Sequence, residues 1–326
     1  MIDQVVSTGQ HTVSESASLQ AGAHSQIALP IRREEAIIGL LLLESRATMP
    51  YDGEVVRFLS RLADHAAIAI ANAQLYAEVQ RANIAKSDFV SLVSHELKTP
   101  MTSIKGYTDL LSQAAVGEVN DAQLEFLSTI RTNIDRMDAL VSDLADVSRI
   151  EAGRLRLEFS SVDIGQVIDE VVRTTGAQFE GKQQRIHLDV PEDLSTVWGD
   201  RTRLVQVLTN LVSNAHKYTS TGGSIHIRAH NTKNLWDAEG ASQVVQIAVE
   251  DTGIGIKEAD QARIFTQYFR TEEGRENAPG TGLGLNIARN LVEMQGGTIW
   301  FESEFGAGTT FFFTIPVAES GLNTEQ

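Results

Sequence analysis

The sequence predicts an α+β chain of several domains: a short β-rich segment, a long helical hairpin and an α/β layer. Apolar residues recur at helical spacing across residues 52–153, with few glycines and one proline. From residue 155 to residue 317, strand-like and helix-like stretches alternate, which is typical of one sheet covered by helices. A length of 326 residues is enough for two or three such domains.

The first fifty residues are polar and then strand-like. Two apolar runs, Ser25–Ile31 and Ala36–Glu44, flank the charged sequence RREE, which predicts a β-hairpin. The second run is apolar on both faces, so we expect it to be a central or covered strand.

The helical region predicts one long helix, a turn at AAVGEVND and a second long helix that ends at Gly153. The first helix could run unbroken from Asp52 to Leu111, through Pro100. Two helices bury little surface alone, whereas two hairpins paired as a four-helix bundle would cover both apolar stripes. A homodimer is therefore expected, and a hairpin packed on its own chain is the alternative.

The α/β region contains five strand-like and four helix-like stretches. The predicted strands are Arg185–Val190, Ser224–Ala229, Val244–Glu250, Thr298–Ser303 and Thr309–Ile315. The predicted helices are Ile164–Thr175, Arg201–Tyr218, Lys257–Tyr268 and Leu283–Glu293.

Composition excludes several classes of function. The net charge of −16 argues against a protein that binds nucleic acid through its backbone, which needs clustered Lys and Arg. Without cysteine there is no disulfide, thiolate nucleophile or Cys-ligated metal. The longest apolar run, Ala36–Leu43, is too short for a membrane segment, and no signal peptide is visible. We therefore expect a cytoplasmic protein.

A row of amides marks the predicted helix Arg201–Tyr218. Gln206, Asn210 and Asn214 are spaced four residues apart, so they share one face. This face is either a solvated surface or a binding stripe, in which an Asn oxygen can ligate Mg²⁺.

A carboxylate ends the predicted strand VVQIAVED. Val245, Ile247, Val249 and Asp251 share one face, which places Asp251 at the edge of the core. It either caps the next turn or accepts a bond from a ligand such as the amine of adenine. The glycines that follow it allow a close approach of the backbone.

The run PGTGLGL places alternating glycines before a predicted helix, where bare amides favour phosphate. It is neither a Walker loop nor a Rossmann fingerprint. On the first long helix, SHELKTP places His95 and Thr99 on one face, with Glu96 adjacent and Pro100 just beyond.

Together these segments resemble the sensor histidine kinases of bacterial two-component systems. SHELKTP matches their phosphoacceptor box, NLVSNAHKY their N box, DTGIGI and GTGLGL their first two glycine boxes, IFTQYFR their F box and GAGTT their third glycine box. The resemblance covers residues 82–316. It implies a HisKA-type dimerisation and phosphotransfer domain over 77–155 and an ATP-binding α/β sandwich of the Bergerat (HATPase_c) type over 156–318, with a polar tail at 319–326. The segment 1–76 resembles the second half of a GAF sensor domain, either truncated or a remnant that passes on signals.

The resemblance also implies site residues. His95 would be phosphorylated from ATP, with Glu96 holding or accepting its proton and Thr99 serving a phosphatase reaction. Asn214 would ligate Mg²⁺, Asp251 would bind the adenine amine, and the phosphoryl group would pass to an aspartate of a separate response-regulator receiver domain. The remaining nucleotide-binding positions would be Asn210, Lys217, Tyr218, Gly253, Gly255, Phe269, Arg270, Gly280, Thr281, Gly282, Leu283 and Gly284.

Two alternatives stay open. Chaperone, gyrase and mismatch-repair ATPases have a similar nucleotide site, but they carry a water-activating glutamate where this chain has Asn210, an amide that is no base. A non-catalytic signalling scaffold would normally show a broken box, and each box here is intact.

Overall fold

The structure is a computed structural model that describes residues 1–14, 23–34, 36–46, 51–235, 241–277 and 280–318. The predicted polar tail at 319–326 lies outside the described residues. The chain divides into two compact units, with the boundary between Ala85 and Lys86.

The first unit is a small antiparallel sheet packed on a helix. Its elements are α1 (Ile2–Thr8), β1 (Thr12–Ser14), β2 (Ser25–Arg33), β3 (Ala36–Ser45) and the first part of α2 (Gly53–Ser112). The core joins β2 to α2 through the apolar side chains of Ile27, Leu29, Ile31, Leu59, Ala63 and Ala67.

The predicted hairpin is confirmed. Its second strand was predicted to be central or covered: it is not central among the described strands, but Ile38, Leu41 and Leu43 pack against the core. The strand order is β1-β2-β3, so β2 is the middle strand of the three described, and most side chains of β3 are half-exposed. The reason is that β1, too short to recognise from sequence, pairs with β2.

The helical hairpin has the predicted form. Helix α2 runs unbroken through Pro100 to Ser112, and α3 (Asp121–Glu151) returns after a turn. Asn120 starts α3 with a capping box: its side chain accepts from the Gln123 amide at 2.9 Å, and the Gln123 side chain accepts from the Asn120 amide at 2.8 Å.

The rest of the second unit is a five-stranded sheet with helices on one face. The elements are β4 (Ser160–Val162), α4 (Ile164–Gly181), β5 (Arg185–Asp189), β6 (Val197–Gly199), α5 (Arg201–Tyr218), β7 (Ser224–Lys233), β8 (Gln243–Asp251), α6 (Glu258–Gln261), α7 (Glu272–Asn277), α8 (Gly284–Glu293), β9 (Ile299–Glu304) and β10 (Gly308–Pro316). The order β5-β7-β8-β10-β9 combines one parallel pair, β5 with β7, and antiparallel pairs. The amphipathic helices α4, α5 and α8 bury their apolar faces in one core with the sheet.

One predicted helix is wrong. The stretch 257–268 contains only the short helix α6, followed by turns with bonds three residues apart, such as Thr266 to Arg263 and Phe269 to Thr266. Tyr268 ends it at a φ of 60°, and its amide bonds the carbonyl of Gly282 at 3.0 Å. This tertiary bond redirects the chain, which a local helical pattern cannot reveal.

No helix in the described part of the chain has the length and hydropathy needed to cross a bilayer.

Candidate functional site

A cavity of about 530 Å³ lies beside α5 in the second unit. Its walls come from four places: one face of α5, the end of β8 with the loop after it, the segment that leads into α8, and one face of α3. The lining includes Asn210, Asn214, Lys217, Tyr218, Asp251, Gly255, Phe269, Arg270, Gly280, Thr281, Gly282 and Gly284 from the predicted site.

Asp251 lies in the cavity wall where β8 leaves the core. Its side chain is 7% exposed, with Val249 and Ile247 buried behind it as the strand pattern predicts. The Gly253 amide donates to its Oδ1 at 2.8 Å, and the backbone of Thr309 also bonds it. Burial nevertheless raises the pKa of Asp251 to about 6. A carboxylate in this position can accept a hydrogen bond from an amine N–H of a ligand in the cavity.

Two glycines after Asp251 are required by close packing. A Cβ on Gly253 would lie 2.6 Å from Asp251 Oδ1 and 2.7 Å from the Tyr218 carbonyl oxygen. Gly255 has a φ of 66°, and a Cβ there would lie 2.0 Å from the carbonyl oxygen of Glu304. The loop is therefore fixed against α5 and the β9–β10 turn, which holds the cavity wall in place.

The α5 wall carries the predicted amide stripe. The Nδ2 of Asn210 donates to the carbonyl of Gly284 at 3.2 Å, which ties α5 to the first turn of α8. Asn214 and Lys217 line the cavity further along α5. Burial lowers the pKa of Lys217, and Arg270 nearby lowers it further. Asp143 acts in the opposite direction.

The glycine run at 280–284 closes one side of the cavity. Gly282 has a φ of 72°, and a Cβ there would lie 2.8 Å from the backbone of Tyr268. Arg270 Nη1 donates to the carbonyl of Gly280 at 3.1 Å, and the Arg263 guanidinium lies 4.4 Å above the Phe269 ring. The bond from Arg270 and the packing of Gly282 on Tyr268 join the F-box loop to the glycine run, while the Arg263–Phe269 contact lies within the F-box loop.

One face of α3 forms a wall that the sequence did not predict. Its lining residues follow helical spacing: Thr132, Arg136, Ala139, Leu140 and Asp143. Asp143 Oδ2 accepts from the Thr281 hydroxyl at 3.2 Å. Burial raises the pKa of Asp143, while Thr281 and Lys217 lower it. Nothing in the local sequence of α3 marks this face, because the contact depends on how α3 packs.

His95 lies on α2, outside the residues that line the cavity. Its side chain is 79% exposed, and its Nδ1 is 3.4 Å from the Glu96 carboxylate. The Thr99 hydroxyl donates to the His95 carbonyl at 3.3 Å. The imidazole is therefore open to an incoming group, with a carboxylate beside one ring nitrogen.

Glu96 and Thr99 lie outside the cavity lining with His95, and so do two of the predicted nucleotide-binding residues. Gly253 bonds Asp251 from behind, and Leu283 is buried in the main core. Thr309, by contrast, lines the cavity beside Asp251 and was missed, although its position inside the third glycine box, GAGTT, is a signal that could have found it.

The donors present fit a nucleotide with Mg²⁺. Among the described residues no three His, Cys, Asp or Glu side chains form a self-contained metal site. Mg²⁺ is commonly held by only one or two protein oxygens together with substrate phosphates, and the Asn214 amide can supply one oxygen. Lys217 and Arg270 provide positive charge for phosphates in the same cavity.

Three family profiles match the chain. Residues 199–319 match the histidine kinase-, DNA gyrase B- and HSP90-like ATPases. Residues 85–153 match the His Kinase A (phospho-acceptor) domain, and residues 2–72 match a GAF domain.

Two curated bacterial sensory proteins are similar to the chain over most of its length. The chain is 38% identical over 242 residues to drug sensory protein A of Synechocystis, which covers 74% of this chain and 36% of that protein. It is 33% identical over 234 residues to the adaptive-response sensory kinase SasA of a Synechococcus strain, covering 71% of this chain and 59% of that one. The chain thus spans between about a third and three fifths of the length of these two curated relatives.

One solved structure is similar to the chain in fold. Full-length ShkA in complex with AMPPNP matches with a TM-score of 0.57 and 28% identity, over 71% of this chain and 46% of that one.

Proposed function

Because this chain belongs to the sensor histidine kinases, we propose that it transfers the γ-phosphoryl group of ATP to His95. The observation that carries the proposal is the cavity itself. It gathers Asp251, Asn214, Lys217 and the glycine run at one site, in a chain that also presents an exposed imidazole beside a carboxylate.

In this proposal ATP lies with its adenine against Asp251 and Gly255. The ionised carboxylate accepts a bond from the exocyclic amine, and the tight Gly253 and Gly255 backbone shapes the pocket. Asn210 supports the nucleotide indirectly, by bonding the first residue of α8. The carbonyl of Tyr218 accepts from the Ile254 amide at 3.3 Å and so positions the loop after β8.

The phosphates lie toward Lys217, Arg270 and Thr281 in the proposal. Asn214 holds Mg²⁺, which when bound neutralises charge on the phosphates. Gly280, Gly282 and Gly284 let the glycine run approach the phosphates and move with the F-box loop. Gly282 is packed against the backbone of Tyr268, whereas a Cβ at Gly280 would meet nothing within 4 Å.

The chemical step is an in-line displacement at phosphorus. A ring nitrogen of His95 forms the N–P bond, the bond to the bridging oxygen breaks, and ADP leaves. The other ring nitrogen becomes acidic as the bond forms, and Glu96 holds or accepts its proton. The phosphoryl group then passes from the His95 nitrogen to an aspartate of a response regulator. Thr99, one helical turn from His95, orients the water that hydrolyses this phosphoaspartate and releases inorganic phosphate.

We further propose that the chain works as a homodimer through the hairpin. Large apolar side chains stay exposed along α2 and α3, among them Phe89, Leu92, Leu110, Phe126 and Met137. A second hairpin would cover this surface in a four-helix bundle. The proposed domains are a GAF-like segment at 1–76, the hairpin at 77–155, the catalytic domain at 156–318 and a tail at 319–326, in a cytoplasmic protein.

The test is incubation with γ-labelled ATP and Mg²⁺. Wild type is expected to gain an acid-labile, base-stable label, and His95→Gln to gain none. His65→Gln is the matched control, because His65 is also an exposed histidine on α2 and should leave the label unchanged. Equal labelling of His95→Gln and wild type would contradict the proposal. Slow release of phosphate without protein label would favour the ATPase alternative.

A further inference from the structure

The contact between Asp143 and Thr281 places an acidic side chain inside the nucleotide cavity. The Thr281 hydroxyl donates to Asp143 Oδ2 at 3.2 Å, while its oxygen accepts from the Leu283 amide at 3.0 Å. The hydroxyl is therefore held in place by its own glycine run, and its single proton is directed at the carboxylate of α3. A phosphate oxygen at this position would need the same proton.

Lys217 is the second group that Asp143 engages. Both residues line the cavity, and each favours the charged form of the other. Lys217 is half-buried, so its attraction to a neighbouring anion is screened less than on an open surface. A carboxylate that accepts from Thr281 and attracts Lys217 acts on two groups that anionic phosphates would otherwise use.

Other contacts hold α3 against the catalytic domain. Three turns of α3 pack on it: the Asp146 carboxylate accepts from Arg203 at 3.3 Å and from Gln206 at 2.7 Å. Glu151 accepts from the Gln267 side chain at 2.9 Å. Val147, between them, is buried in the main core. Asp143 is thus held at the cavity by a docked helix rather than by a chance approach of a flexible side chain.

We propose that Asp143 is an internal competitor for the phosphate subsite, so that docking of α3 on the glycine run weakens nucleotide binding until the carboxylate withdraws. The proposal rests on the nucleotide site proposed above and names the side chain of the same protein that blocks it. His95 lies outside the cavity in this arrangement. Nucleotide binding and release of the glycine run from α3 are then linked.

The size of the effect follows from occupancy. If the docked state holds about nine tenths of the molecules, the apparent affinity for a phosphate-bearing nucleotide falls about tenfold. Adenosine, which lacks phosphates, does not compete with Asp143 and loses nothing. The ratio of the two affinities therefore separates competition from a general change in the fold.

The experiment measures the Kd of AMPPNP with Mg²⁺, and separately of adenosine, for the whole chain by calorimetry. Asp143→Asn is expected to tighten AMPPNP binding about tenfold and to leave adenosine unchanged. Asp143→Glu, which keeps the charge, should stay near wild type. Asp138→Asn, an exposed acid on the same helix, is the matched control and should change neither value.

Unchanged or weaker AMPPNP binding by Asp143→Asn would overturn the proposal, and so would an equal gain for adenosine. If every variant binds nucleotide as expected but none labels His95, the competition stands and the kinase proposal fails. If wild type binds neither ligand, the nucleotide site is wrong and the competition falls with it.

Discussion

Gly253 and Asp251 are fixed to each other: the amide of Gly253 bonds Asp251 Oδ1 at 2.8 Å, and a Cβ on Gly253 would lie 2.6 Å from that oxygen. The Gly253 amide, together with the backbone of Thr309, therefore holds the carboxylate at the cavity wall. The position of both residues is set by the end of β8, where the buried face of the strand places Asp251 at the cavity.

The first prediction concerns the pH dependence of base recognition. Because burial raises the pKa of Asp251 to about 6, the ionised acceptor forms only as the pH rises through that value. Adenosine should bind more tightly at about pH 8 than at about pH 5, with a midpoint near the raised pKa. Titration of the adenosine Kd checks this, and Asp251→Asn should give weaker binding with a flat profile. A wild-type profile as flat as that of the variant would refute the role of Asp251.

The same carboxyl predicts a change in stability. Its folded pKa lies above the unfolded value of about 3.9, so its stabilising contribution is full below that value and is lost as the pH rises through about 6. Asp251→Asn should therefore unfold at higher urea than wild type at about pH 8, with the difference shrinking toward pH 4. Urea midpoints across this range test the sign. A difference that grows toward acid would show that the carboxyl stabilises as an anion.

A second kind of prediction tests the fixed loop. Gly255→Ala should destabilise the catalytic domain by more than about 1 kcal/mol, because the backbone is left-handed there and the methyl group meets the Glu304 carbonyl. Gly176→Ala is the control: it lies inside α4 with open space at its Cβ position and should stabilise by about 0.5–1 kcal/mol. Urea unfolding of both variants decides, and equal effects would mean that the loop can relax.

The ion pair between Asp146 and Arg203 should be strongly coupled. Their side chains are 11% and 19% exposed, and Gln206 adds a third bond. Removing one partner, as in Asp146→Ala, is expected to cost about 3–5 kcal/mol, and the double variant with Arg203→Met less than the sum. A double-mutant cycle in urea measures the coupling. Additive losses would show that the pair does not hold α3.

Glu96 gives the fifth prediction. If it takes or holds the proton of His95, Glu96→Gln should slow autophosphorylation by about 10²–10⁴-fold without changing the Kd for AMPPNP. Quenched time courses with labelled ATP measure the rate. Glu125→Gln, an exposed acid on α3, is the control and should keep the wild-type rate. Loss of nucleotide affinity in Glu96→Gln would assign it a structural role instead.

Periodicity predicted the parts of the fold that local pattern decides. Helix α5 has the predicted bounds, because its apolar stripe is regular and Asp200 caps it by accepting from the Arg203 amide. The helix predicted for 257–268 was wrong because the amide of Tyr268 bonds the carbonyl of Gly282, a tertiary contact that a local pattern cannot show. The central position predicted for the second hairpin strand was wrong for a different reason, since β1 is too short to recognise from sequence alone.

The site residues divide in the same way, into those that local motifs predict and those that only tertiary packing brings to the cavity. The motifs led to Asp251, Asn214 and the glycine run, and these residues share one cavity. Asp143 and Arg136 were missed because they lie on an ordinary amphipathic helix, and only its docking brings them to the cavity.

The measurement that tests the central claim most directly is to locate the phosphate after reaction with ATP and Mg²⁺. Peptide mapping by mass spectrometry, under conditions that preserve phosphohistidine, should place it on His95 in wild type and find none in Asn214→Ala. Phosphate on a serine, threonine or aspartate, or on His95 in the Asn214 variant at the wild-type level, would contradict the account.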